Sequence, residues 1–174
     1  MINLLPFKQG DDSRCGPSSI KSVLYYYGID ATENEICKRC NWSYEVGCTD
    51  DGIKKAIESY GLGCSIINNC NLEDIEYWIK HHIPVIVDWF TPGINPGLED
   101  MPDGHSGVIV GIDRNRVYML DPEIGAIRSI MRHDFLRVWF DWRSTSAIEN
   151  WQNMVLRQII IAYPKALTYS SSQP

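Results

Sequence analysis

Residues 9–28 read QGDDSRCGPSSIKSVLYYYG. A polar run containing a glycine ends at Cys15-Gly16-Pro17, and a helical pattern follows at once. Pro17 suits the first helical position, where a missing N–H costs nothing. Ile20, Val23, Leu24 and Tyr27 recur at helical spacing and predict one apolar face. Gly28 is placed to end the helix in a left-handed turn. Cys15 therefore belongs at or just before a helix N-terminus, where unpaired N–H groups and the macrodipole favour an anion. A sulfur in that place leans toward the thiolate, its nucleophilic form.

Gln9 lies six residues before Cys15. Its amide can fold back beside the sulfur and offer one hydrogen bond to a developing oxyanion, with the Cys15 backbone N–H as the second donor. A cysteine near a helix start also reads as an inert small hydrophobe, and this stretch alone leaves both readings open.

The 174 residues suit one domain with one sizeable core. We expect a single domain over 1–164 and a disordered tail over 165–174. The net charge of -6 argues against nucleic acid as the main partner. No apolar run is long enough to span a bilayer. The N-terminus, MINLLPFKQGDD, lacks the basic n-region of a signal peptide, so a cytoplasmic setting is expected. Six cysteines are present: Cys15, Cys37, Cys40, Cys48, Cys64 and Cys70. Cys37 and Cys40 have C-x-x-C spacing, and Cys48 or Cys64 with Cys70 would complete a zinc site. The second C-x-x-C is missing, so thiols in the core are the preferred reading. No cofactor or metal is called for.

Further along, Thr32 and Glu35 form a capping-box pattern opening a helix that runs to about Arg39. Thr49 caps a helix over Asp50–Tyr60, and Asn71 caps another with Leu72, Ile75, Trp78 and Ile79 on its apolar face. Cys64–Ile67 and Ile83–Phe90 read as strands. Thr91–Gly104, rich in Gly and Pro, reads as a long functional loop. His105–Ile112 and Val117–Asp121 form a hairpin around a turn at Asp113–Arg116. Asp134–Trp142 reads as an aromatic-rich helix and Arg157–Tyr163 as a last strand. A helix-rich half followed by an antiparallel half predicts an α+β fold.

His105 opens one hairpin strand and Asp121 closes its partner, so the two fall at the same end. An acid beside one imidazole nitrogen fixes its tautomer and leaves the other to face a thiol. Cysteine, histidine and an orienting acid are the parts of covalent acyl transfer. Asp121-Pro122 is also a common turn opener, and His105 alone reads equally as a solvated loop residue. His81, His82 and His133 have no acid at a comparable offset and rank below His105.

These stretches together resemble the papain-like cysteine peptidases of the double-glycine-leader, or bacteriocin-processing, family. The resemblance rests on Gln9, on Cys15-Gly16-Pro17-Ser18-Ser19, on Gly104-His105 opening the strand that ends in Gly111-Ile112-Asp113, and on Asp121-Pro122 with Gly125. It spans about Leu5 to Tyr163. It implies a papain-like fold, with an N-terminal helical half packed on a C-terminal antiparallel sheet. It also implies Cys15 as nucleophile, His105 as base and acid, Asp121 as orienter, Gln9 in the oxyanion hole, and a peptide or protein as substrate. Arg14 stands where an acid is common, and a cation there favours the thiolate further. Ser106-Gly107 stands where bulky apolar residues are usual. A stand-alone member is expected, whereas the best-known members are joined to an export pump. The readings carried forward are a stand-alone peptidase, a catalytically weak peptide-binding module of the same fold, and an acyl transferase or amidase using the same three residues.

Overall fold

The computed structural model describes residues 1–91, 103–142 and 153–165. The centre of the Thr91–Gly104 loop, with Glu99 and Asp100, lies outside the described residues, as do Trp151 and the tail beyond Lys165.

Three helices come first: α1 (Cys15–Tyr26), α2 (Glu33–Arg39) and α3 (Asp50–Ser59). Each begins and ends where its sequence provides for it. Thr32 accepts from the Glu35 N–H and Glu35 answers to the Thr32 N–H, a complete capping box on α2. Thr49 accepts from the Gly52 N–H at the start of α3. Gly28, at φ 76°, ends α1 in the left-handed region. The start of α1 differs by two residues from expectation. Arg14 is the N-cap and Cys15 the first helical residue, so Pro17 is third. Its missing N–H is still among the four that no helical carbonyl can reach.

The remaining elements are β1 (Leu62–Ile67), α4 (Leu72–Lys80), β2 (Val85–Thr91), β3 (Asp103–Ile112), β4 (Arg116–Asp121), β5 (Ala126–Met131), α5 (Arg132–Val138), β6 (Phe140–Trp142), β7 (Met154–Leu156) and β8 (Ile159–Pro164). Six strands form one antiparallel sheet in the order β1-β8-β2-β3-β4-β5. Strands β6 and β7 pair separately. The α+β arrangement of helical half on antiparallel sheet is present. One strand of the helical half, β1, joins the sheet through β8.

Both faces of the sheet are covered. On one face α1, α2 and α3 bury Ile20, Val23, Leu24, Ile36, Ile53 and Ile57 against Ile86, Val108, Leu120 and Ile160. On the other, α4 and α5 bury Ile75, Trp78, Phe135 and Trp139 against Val85, Val87, Ile109, Met119 and Ile161. Alternation along β2 sends Ile86 to the first cluster and Val85, Val87 and Trp89 to the second. Each fully buried aliphatic side chain contributes about 2 kcal/mol of transfer free energy. The N-terminal segment runs along the hairpin, with the Ile2 N–H donating to Val110 O at 2.6 Å and the Gln9 N–H to Pro122 O at 2.9 Å.

The expected helix Asp134–Trp142 is shorter. It spans Arg132–Val138, and Phe140–Trp142 is strand. Trp139 breaks the helix, being drawn into the core with its indole N–H on Gln158 O at 2.9 Å. The last strand begins at Ile159 rather than Arg157, which sits at φ 48°. The hairpin strands β2 and β3 extend to Thr91 and Asp103, which pair, so the Thr91–Gly104 loop is trimmed at both ends.

Candidate active site

Cys15 is half-buried at the N-terminus of α1. His105 lies near the start of β3 and is 6 % exposed, and Asp121 ends β4 at 1 %. The β3–β4 register pairs Val108 with Leu120, after a bulge between Ile109 and Gly111. One further step sets Gly107 opposite Asp121, so His105 reaches Asp121 diagonally across a residue with no side chain. His105 Nε2 is 2.8 Å from Asp121 Oδ1. Cys15 lies close enough to the imidazole to act on its charge. With Nε2 engaged by the carboxylate, Nδ1 is the nitrogen left for the sulfur. The structure thus brings together Cys15, His105 and Asp121 from three separate elements. Gln9 is beside them through its backbone bond to Pro122, and its side-chain Oε1 is buried without a hydrogen bond among the described residues. His81, His82 and His133 are exposed.

Burial disfavours the imidazolium, but the interactions with Asp121 and Cys15 outweigh it. The His105 pKa is raised from 6.5 to about 10. Burial likewise works against the Asp121 carboxylate, yet His105 and Arg128 hold its pKa below the ordinary range. Oδ1 of Asp121 also accepts from the Glu123 N–H at 2.9 Å, and Oδ2 accepts from Arg128 Nε at 2.6 Å. The Arg128 guanidinium lies 5.6 Å from the centre of the Trp89 ring, and Trp89 meets His105 edge-on at 6.0 Å. Carboxylate, guanidinium, indole and imidazole therefore close a ring of contacts around one acid.

The residues flanking His105 explain its unusual neighbours. Ser106 donates to Asp88 Oδ1 at 2.5 Å. Burial is the main cause that pushes the Asp88 carboxyl up to about 6; Ser106 opposes it, Asp50 adds to it and His105 opposes it. A Cβ at Gly107 would fall 2.5 Å from Met119 Sδ and 3.2 Å from Leu120 O, so no larger residue fits. At Gly104 a Cβ would collide with the Asp141 carboxylate of β6. Arg14, before the cysteine, is held by Asp11 at 2.6 Å and lies 4.7 Å from the centre of the Trp42 ring. Its NH1 donates to Asn34 at 2.9 Å. Phe90 stacks on Phe140 at 5.3 Å, and Trp89 is buried at 3 %.

Arg128 and Asp88 were not singled out from the sequence. Arg128 sits in β5, a strand whose AIRSIM pattern does not alternate. Asp88 carried a signal, as the one acid inside the apolar run Ile83–Phe90. His105, Asp121 and Glu123 also meet the spacing of a cation site among the described residues. The Arg128 guanidinium bridges two of these three, Asp121 at 2.6 Å and Glu123 at 3.6 Å. A half-buried sulfur, an imidazole and an ionised acid close together are groups that can carry out nucleophilic attack on a carbonyl.

Helices packed on an antiparallel sheet are the arrangement this chain shares with known peptidase domains. Residues 1–147 match the Peptidase_C39 like family, and the chain belongs to that family. No curated protein matches the chain. The peptidase domain of Streptococcus ComA, a bi-functional ABC transporter of a quorum sensing pathway, superposes with a TM-score of 0.68 at 19 % identity, over 94 % of this chain and 100 % of that one. A double glycine motif protease from an AMS/PCAT transporter, in complex with its leader peptide, superposes at 0.66 with 20 % identity, over 94 % and 93 %. The N-terminal peptidase C39 like domain of a toxin secretion ATP-binding protein from Vibrio parahaemolyticus gives 0.59 at 17 %, over 90 % and 100 %. At these identities the likeness is one of fold.

Proposed function

We propose that the chain is a cysteine peptidase in which Cys15 is the nucleophile, His105 the general base and acid, Asp121 the orienting acid, and Gln9 with the Cys15 N–H the oxyanion donors. Family and fold support a function of the cysteine-peptidase type. The observation that carries the residue assignment is the position of the His105 ring, hydrogen-bonded to Asp121 through Nε2 and near enough to Cys15 for the two to interact electrostatically. With its pKa raised to about 10, His105 already carries the proton near neutral pH, and the Cys15 sulfur bonds to the peptide carbonyl carbon beside that imidazolium. The carbonyl oxygen gains charge and is met by the Gln9 amide and the Cys15 N–H. The same proton then passes from His105 to the departing amine, leaving a thioester. Water, deprotonated by His105, attacks the thioester and restores the thiol. One solved relative holds a leader peptide, which makes double-glycine leader peptides the first substrates to try. A clear expression of this reading is the order of alkylation. Limiting iodoacetamide near neutral pH labels Cys15 ahead of the other five thiols, and His105→Ala removes that preference. Equal slow labelling of all six in the unaltered chain defeats the assignment.

A further inference from the structure

Two other sulfurs lie against this site without belonging to it. Cys40 Sγ and Cys48 Sγ are 2.7 Å apart. Cys40 caps the C-terminus of α2 and is 1 % exposed, whereas Cys48, just before α3, is half-buried. The turn between them is closed by paired backbone bonds of Ser43 and Gly47, at 3.2 and 2.8 Å. It is fastened to the segment that leads into Cys15. Trp42 Nε1 donates to Ser13 O at 2.9 Å, and the Arg14 guanidinium packs over the Trp42 ring. On its other side Cys48 abuts the residue after Cys15, since a Cβ at Gly16 would be 3.1 Å from Cys48 Cβ. Cys40 Sγ also donates to Cys37 O at 3.5 Å, as Cys70 Sγ does to Ile67 O at 3.6 Å. Among the described residues no other two sulfurs make a contact like that of Cys40 with Cys48.

We propose that Cys40 and Cys48 are a redox-active dithiol, a modification site that a low-molecular-weight disulfide oxidises to a bond across the base of the 41–47 turn. The hydrogen bond between them pulls Cys40 below the ordinary thiol range and pushes Cys48 above it, so Cys40 is placed to accept the proton that Cys48 loses as it attacks. The reagent reaches the more accessible sulfur. Cys48 bonds to one reagent sulfur and expels the other as a thiol. Cys40 then attacks the Cys48 sulfur and expels the second thiol. Two protein thiols lose two electrons and two protons, and the reagent disulfide becomes two thiols. The new bond staples the wall that positions Ser13 and Arg14 before Cys15. The inference is independent of the peptidase reading, because its readout is a covalent bond and not turnover.

The test incubates the folded full chain with oxidised glutathione, then alkylates under denaturing conditions and maps the peptides. Cys40 and Cys48 share the tryptic peptide 40–54, and cleavage after Glu45 separates them. The expected result is two halves that stay joined after Glu45 cleavage and part on reduction, with Cys15, Cys37, Cys64 and Cys70 alkylated. Cys40→Ser leaves a glutathione adduct on Cys48, which nothing now resolves, while Cys48→Ser leaves none on the buried Cys40. The oxidised chain melts about 5 °C higher than the reduced one, because an eight-residue separation is closed in the unfolded state as well. Halves that separate and carry alkyl groups on both cysteines overturn the proposal, and so does a disulfide that links either cysteine to Cys15.

Discussion

Replacing Arg128 by Gln isolates the charge that faces Asp121, the proposed orienting acid. Asp121 is buried with no side-chain exposure, and Arg128, 27 % exposed, donates from Nε to Oδ2 at 2.6 Å. Unit charges about 4 Å apart attract by roughly 4 kcal/mol at an effective dielectric near 20, which is a ceiling. Glutamine keeps one donor, and His105 and the Glu123 N–H continue to hold Oδ1. The net loss is therefore about 2 kcal/mol, in the range of a charge-assisted hydrogen bond. Asp121 is depressed in the fold, so its contribution is present above the unfolded carboxyl value and is lost as pH falls through the folded value. Without Arg128 that loss comes at higher pH. The acid limb of kcat/KM for a peptide should move up by about one unit, with the neutral plateau changing less than about tenfold. The Tm at pH 7 should fall by about 4–8 °C. An acid limb that stays in place or moves to lower pH, together with an unchanged Tm, refutes the reasoning.

Other perturbations follow from the same geometry. His105 is raised to about 10, so its ionisation stabilises the fold fully below pH 6.5 and loses that contribution between 6.5 and 10. Denaturant titrations across this range should show it, and His105→Ala should flatten the decline. Asp88 is raised to about 6 in the fold, so ionisation opposes folding as pH climbs from the unfolded carboxyl value through 6. Asp88→Asn, which still accepts from Ser106, should raise Tm by a few degrees at pH 7 and leave it unchanged near pH 3, as read by calorimetry. Gly107→Ala forces a methyl onto Met119 Sδ and Leu120 O and should cost about 2 kcal/mol in urea unfolding.

Much of this was legible because the signals are local. Thr32, Thr49 and Asn71 cap helices with side chains that reach only three residues. The hairpin carries His105 and Asp121 to one end by short-range pairing, so residues sixteen apart meet without knowledge of the rest. What stayed hidden depends on long-range packing. Strand β5 is an edge with exposed Ala126 and Ile127, and it forms because β4 offers a partner rather than because its own pattern demands a strand. Arg128 was lost with it. Strands β6 and β7 are three residues each, too short for any periodicity. Trp139 looked like a helical residue until the Gln158 carbonyl, nineteen positions away, claimed its indole. Gln9 is singled out by its spacing to Cys15 alone, whereas its backbone anchor on Pro122 is a tertiary contact.

The most direct measurement is a double-mutant cycle on peptide hydrolysis with Cys15→Ala, His105→Ala and the pair. If sulfur and imidazole act as one unit, each single change lowers kcat by about a thousandfold or more and the double variant falls no further. Losses that multiply, or a Cys15→Ala chain that still cleaves at the original rate, contradict the account.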